Sequence, residues 1–393
     1  MAPELDLPAK RHGAADGVST PSASHFTNPP ASAYDEPNTE NRMGMYAMRL
    51  GMLLKYKGEA GGPDMDVVLE AERLGFDSVW SGESWGVDTV TPLTWVLAQT
   101  TKIKAGAGIM QMPARTPACA AMTMMTLNAM SGGRFLMGVG PSGPQVIEGW
   151  HGEKFGKPLM RTREYIEILR KALARDEPLM HEGEHYQIPY AGEGATGLGK
   201  PLKSILHGDP TNPIYTASFS PAGLRTAGEV ADGTLPIYMS PEQAGLITDH
   251  VQDGITKRKD GKTMADFDVS PYVRVAMGDD LQACRDKIKP ELALYIGGMG
   301  AREKNFYNDY AKRLGYEDAA REIQDNFLGG RRKDAMAAVP DALVDELCLV
   351  GPADRIKDRV QVWKEAGKDG SVGAILLGGA SKDAMRFIAE AAL

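Results

Sequence analysis

Cysteine is scarce in this chain. Its 393 residues include three, Cys119, Cys284 and Cys348, far apart and without the spacing of metal ligands. An odd number so widely separated argues against a disulfide framework and for a reducing compartment such as the cytoplasm. No apolar run approaches the length of a membrane span, so no membrane contact is expected. The first residues lack a charged region followed by an apolar one, so no signal peptide is expected either. A basic face is also missing. The net charge is -8, with 44 Lys and Arg against 52 Asp and Glu, which argues against a nucleic-acid surface. There is no His/Asp/Glu cluster with metal spacing, hence no expected metal, and no G-x-S-x-G elbow. What remains is a protein acting on a small-molecule substrate.

Residues 1–47 are rich in Pro, Ser, Ala, Asp and Glu and carry few aliphatics. Such a segment cannot bury enough apolar area to offset its chain entropy. It reads as a flexible N-terminal extension ahead of one domain, 48–393. From residue 48 the chain alternates. Short apolar runs predict strands over 48–54, 77–81, 102–109, 135–139, 213–217, 233–236, 267–277 and 374–377. Helical patterns fall at 63–74, 92–99, 117–130, 145–150, 161–174, 221–230, 241–257 and 381–393, several opened by proline. Two stretches break the rhythm. Residues 176–210 read as a β-rich flap insertion, and 281–363 as a long, mostly helical insertion. Eight strands, each followed by helical material, predict an α/β (β/α)8 TIM barrel with insertions. An open doubly wound sheet is the alternative, weakened because no G-x-G-x-x-G follows the first strand.

A barrel of this kind carries its site at the carboxyl ends of the strands. The 131–152 stretch, SGGRFLMGVGPSGPQVIEGWHG, is central: a buried strand, a glycine-rich turn and a helix start gather backbone N–H groups at one tip. Lys55 follows the first strand, as an anion contact or a plain loop lysine. Glu83 follows the second and is a candidate acid or base, with Trp85 as a flat apolar wall. Gly108, Ile109 and Met110 follow the third, where glycine permits a bulge and close approach of a ring. Arg115 could clamp an anion or close a salt bridge. Gly140, Ser142 and Gly143 follow the fourth strand. His151, a little further on, is a proton carrier or a structural histidine. After the fifth, Ser218, Phe219, Ser220 and Gly223 lead into a helix. Their hydroxyls and amides suit a phosphate, with Ser220 also an N-cap.

These residues also carry a resemblance. GAGIMQMPARTP at 106–117, NAMSGGRF at 128–135 and GPSGPQVIEGWHG at 140–152 resemble the luciferase-like monooxygenase superfamily. They are most similar to its branch of coenzyme F420-dependent oxidoreductases, which includes methylene-tetrahydromethanopterin reductase. KPLMRTREY at 157–165, AGEVADGTLPIY at 227–238, KNFYNDYAKRLGY at 304–316 and LVGPADRIKDRV at 349–360 extend the likeness over 48–393. The resemblance implies a TIM barrel and a bent tricyclic ring at its mouth, supported by a bulge after strand three. In the family that bulge often holds a non-prolyl cis peptide, here Gly108–Ile109. It also implies a phosphate-binding segment at 218–223 and a cofactor-contacting turn with Ser142. Where some deazaflavin enzymes carry a histidine after strand two, this chain has Glu83. Where they carry a glutamate after strand four, it has Ser142 or Gly143. Proton-transfer roles are therefore not carried across. The expected activity is hydride transfer between coenzyme F420 and an organic substrate, in a cytoplasmic homodimer. An FMN-dependent monooxygenase and a non-catalytic flavin- or deazaflavin-binding protein are the alternatives.

Overall fold

Residues 48–57, 61–300 and 302–393 are described by the structure, a computed structural model; the expected extension at 1–47 lies outside the described residues. Strand and helix alternate from the start: β1 (Arg49–Leu53), α1 (Met65–Arg73), β2 (Ser78–Ser81), α2 (Val90–Gln99), β3 (Lys104–Ala107) and a short β4 (Met110–Gln111). Then come α3 (Pro117–Ser131), β5 (Phe135–Gly140), α4 (Pro144–Gly149) and α5 (Pro158–Ala174). The ends of α3 show how local sequence sets its limits. The Thr116 side chain accepts from Cys119 N, Pro117 opens the first turn, and Gly132 closes the helix at φ 68°.

The 176–210 stretch is less regular than expected. Its only strands are β6 (His181–Glu182) and β7 (Gln187–Ile188), paired antiparallel. With many glycines and few apolar partners it forms turns instead of a sheet. The alternation resumes with β8 (Ile214–Thr216), α6 (Pro221–Val230), β9 (Gly233–Thr234) and α7 (Gly245–Ile255). The expected seventh strand is split into β10 (Asp268–Val269) and β11 (Tyr272–Met277). Pro271 between them has no N–H to give to a ladder, though its carbonyl accepts from Leu376 N at 2.9 Å.

The 281–363 stretch is mostly helical, with one short strand inside it. It holds α8 (Leu281–Gly298), α9 (Phe306–Arg313), α10 (Glu317–Leu328), α11 (Arg332–Ala337) and α12 (Asp341–Leu347), but then β12 (Leu349–Gly351) before α13 (Ala353–Lys368). Three apolar residues before a Gly-Pro pair are too few to separate from a helix end by pattern alone. The chain finishes with β13 (Ala374–Gly378) and α14 (Lys382–Ala392).

The main sheet is parallel, in the order β10-β9-β8-β5-β3-β2-β1-β13-β11-β12, with β4 on β5. It is curled. Trp80 of β2, Leu136 of β5, Tyr215 of β8, Ala374 and Leu376 of β13, and Leu235 just past β9, spread along that order, form one buried apolar cluster. Their chain neighbours Val79, Phe135, Ile214, Ile375 and Leu377 belong to the larger core shared with the helices. The two faces of each strand thus serve two cores, as period-two alternation requires. A Cβ on Gly106 would lie within 2.4 Å of Trp80, so glycine there makes room for that indole. Among the described residues, no helix is long and apolar enough to cross a membrane, and no group of His, Cys, Asp or Glu could hold a metal.

Candidate functional site

At the tip of strand three the register slips. Gly106 pairs with Leu136 and Met110 with Val139, so four steps on one strand face three on the other: a bulge of one residue. The peptide bond Gly108–Ile109 within it is cis. Neighbours on three sides hold the bulge. Gly108 N donates to Ser81 O at 2.7 Å, Glu83 N donates to Ile109 O at 3.1 Å, and the Tyr272 hydroxyl donates to Gly108 O at 2.6 Å. A Cβ on Gly108 would sit 2.3 Å from that hydroxyl, so no other residue fits without moving Tyr272. Burial pushes the Tyr272 hydroxyl well above the usual phenol range, and it stays a neutral donor.

Glu83 lies on the loop after β2, its side chain 6% exposed. Both carboxylate oxygens are taken. One accepts from Thr89 N at 3.0 Å, the other from Gln111 N at 3.0 Å, and the Arg115 guanidinium spans both at 2.7 and 2.8 Å. With no lone pair directed at open space, this side chain braces loops two and three. Arg115 is likewise committed: burial lowers its basicity, but the bonds and charge of Glu83 outweigh that and raise it. Trp85 is 61% exposed at the rim.

Gln111 connects these loops to the fourth. Its Nε2 donates to the carbonyls of Glu83 and Ser84, each at 3.2 Å, and to Ser142 Oγ at 3.2 Å. Two of those partners can only accept, which fixes the amide's orientation. Its Oε1 then faces His151 Nε2 at 2.6 Å, so that nitrogen carries the hydrogen. Ser142 sits at φ 59° at the turn of the loop.

Next to strand four is strand five. Ala217 N donates to Val139 O at 3.3 Å, placing the segment with Ser218, Phe219 and Ser220 beside the Gly140 turn. Ser220 caps α6, its Oγ accepting from Gly223 N at 3.1 Å, with Pro221 following. Ser218 Oγ lies 3.1 Å from Thr216 Oγ1. The Phe219 ring packs on Tyr310 and Tyr307, with centroids at 4.6 and 5.2 Å.

The strand-tip residues singled out from the sequence thus fall on adjacent loops. Glu83, Gly108, Ile109, Met110, Gly140 and Ser142 lie in or beside one hydrogen-bonded network, and the segment from Ser218 to Gly223 adjoins it. Gln111 and Tyr272 escaped sequence reasoning. Gln111 had a weak signal, its place inside the 106–117 motif. Tyr272 had none, because an aromatic in a strand is ordinary core.

Residues 48–370 match the model of the luciferase-like monooxygenase family. A protein of Mycobacterium tuberculosis strain H37Rv, provisionally named as a coenzyme F420-dependent oxidoreductase, is 42% identical over 322 residues, covering 81% of this chain and 93% of that one. A 5,10-methylenetetrahydromethanopterin reductase of Archaeoglobus fulgidus is 27% identical over 324 residues, 81% of this chain and 91% of its own. The solved coenzyme F420-dependent tetrahydromethanopterin reductase from Methanopyrus kandleri superposes with a TM-score of 0.69 at 20% identity, over 88% of this chain and 97% of that one, a likeness of fold. The match over most of its length places this chain in the luciferase-like monooxygenase family.

Proposed function

We propose that this chain is a coenzyme F420-dependent oxidoreductase that moves a hydride between the deazaflavin and an organic substrate at its strand tips. The observation that carries the reading is the bulge at Gly108, Ile109 and Met110, backed by Tyr272 and flanked by the Gly140–Ser142–Gly143 turn. A flat ring needs a wall free of projecting side chains. Gly108 has no room for one, and a Cβ on Gly140 would meet Ile109 at 3.0 Å. Ser218, Phe219, Ser220 and Gly223 at the start of α6 suit the phosphoryl group. The 42% identity to the mycobacterial relative supports F420 over FMN.

When bound, the deazaflavin supplies the carbon that accepts or releases hydride. The chain's part is placement. Tyr272, Ser81 and Glu83 N hold the bulge in place, while Glu83 and Arg115 lock the loop carrying Trp85 against strand three. A misplacement of about 1 Å at such a site can cost about a hundredfold in rate. The tips converge because the sheet closes into a (β/α)8 barrel, a reading supported by the parallel bridge between Ile237 and Tyr272. The 176–210 segment covers the mouth as a flap, anchored by Glu164. The enzyme works as a homodimer in the cytoplasm, where its three cysteines stay free thiols.

Equilibrium dialysis or fluorescence titration against F420 and FMN tests this. Saturable F420 binding with weaker FMN binding is expected. A chain that ignores F420 and binds FMN is instead a monooxygenase-type protein, and one that binds neither sinks the proposal.

A further inference from the structure

We infer that Arg313 is an anion-binding residue, supplying the positive charge for a phosphoryl group seated at Ser218, Ser220 and the first turn of α6. The inference deepens the proposed function by assigning a residue from the helical insertion to the cofactor's phosphate.

Arg313 ends α9 and is half-buried. Its guanidinium lies 5.3 Å from the centroid of the Tyr310 ring, which keeps it in place. Nη2 reaches the Phe219 carbonyl only at 3.5 Å, a weak contact. Nη1 is shut off from solvent and has no acceptor among the described residues. Many other arginines have a carboxylate partner, and Arg134, Arg161 and Arg175, which have none among the described residues, donate to backbone carbonyls at 2.9 Å, 2.8 Å and 2.5 Å. Arg163 is paired with Glu229, Arg258 with Asp260, Arg274 with Glu291 and Arg285 with Asp345. Arg313 has no carboxylate at ion-pair distance among the described residues, and its helix neighbour Asp309 faces Lys312 at 3.9 Å. Burial lowers its basicity, whereas every other arginine that the fold shifts is raised. A shielded, unpaired guanidinium is costly, and the cost falls when an anion arrives.

The neighbouring segment indicates which anion. Phe219, whose carbonyl Arg313 touches, stands between Ser218 and Ser220, and its ring packs against Tyr310 of the same helix as Arg313. The first turn of α6 contains no acidic side chain. Through the Phe219 carbonyl the guanidinium thus lies beside the segment that opens α6, where the partial positive charge of the helix start meets no acidic side chain of its own first turn. The pattern fits a phosphate ester.

The test uses the full chain with Arg313→Met and Arg313→Lys. The first readout is melting temperature in inorganic phosphate against chloride at equal ionic strength, without cofactor. The second is affinity for F420 against its chromophore lacking the phosphate, and for FMN against riboflavin. Phosphate should raise the wild-type melting temperature and leave Arg313→Met unmoved. The preference for phosphorylated chromophores should fall about 10- to 100-fold in Arg313→Met. Affinity for the unphosphorylated ones should be unchanged, and Arg313→Lys should keep part of the preference. The melting temperature of Arg313→Met without ligand should not fall, since an unpaired charge is removed. An unchanged preference in Arg313→Met, or no gain from phosphate in the wild type, overturns the inference. A phosphate effect lost in Arg313→Met but no chromophore binding would sustain the anion site and overturn the oxidoreductase reading.

Discussion

The side-chain oxygen of Gln111 lies 2.6 Å from His151 Nε2, and the amide nitrogen of the same residue is held by two backbone carbonyls. The glutamine cannot flip without leaving those carbonyls bare, so it sets the histidine's tautomer through that direct hydrogen bond. Nitrogen-resolved NMR of the imidazole should find hydrogen on Nε2. Gln111→Leu should abolish that preference and cost about 1–3 kcal/mol in urea unfolding, through the carbonyls left without a donor. An unchanged tautomer ratio in Gln111→Leu would show that something else orients the ring.

Glu83 and Arg115 are predicted to be worth more as a pair than apart. Glu83→Ala leaves a largely buried guanidinium without its partner and should destabilise by about 3 kcal/mol. Adding Arg115→Met should restore part of that loss, with a coupling of about 1–3 kcal/mol between the two sites. Thermal unfolding of the two single variants and the double variant measures it. Strict additivity would mean that the pair is incidental.

The Tyr272 hydroxyl and Gly108 compete for one space, because a Cβ on Gly108 would fall 2.3 Å from that oxygen. Gly108→Ala should lower F420 affinity by about tenfold or more, as the bulge is pushed out of place. Tyr272→Phe removes both the clash and the hydrogen bond. Gly108→Ala should therefore do less harm in the Tyr272→Phe background than in the wild type. Equal damage in both backgrounds would locate the strain elsewhere.

Glu164 on α5 ties down the hairpin turn of the 176–210 segment. Its carboxylate accepts from the backbone N–H groups of Glu184, His185 and Tyr186 at 2.9–3.0 Å. Burial pushes this carboxyl up, but the three N–H bonds outweigh it and hold it below its ordinary 4.5. The depressed value means that the anchor is fully present above pH 4.5 and is lost as pH falls through the folded-state value. Hydrogen exchange at residues 184–186, corrected for intrinsic rates, should accelerate on that descent. Glu164→Gln should accelerate it at neutral pH and flatten the pH response. Protection that ignores both changes would assign the turn's order to another contact.

Much of the fold was written in local sequence. The alternation of short apolar runs with capped helices fixes a parallel sheet covered by helices, because strand period and helix period differ and each demands its own burial. Thr116, Pro117 and Gly132 mark the ends of α3 by backbone chemistry alone. The glycines at 106 and 108 marked the bulge, since only they allow neighbours so close. Tertiary structure decided what those pieces do to one another. Glu83 read as a possible acid, and only folding brought Arg115, 32 residues away, across both of its oxygens. Tyr272 became a support for Gly108 across 164 residues, and Arg313 came to the Phe219 carbonyl across 94. Such pairings leave no trace in periodicity or capping, because they arise only when the sheet curls and distant strand tips become neighbours.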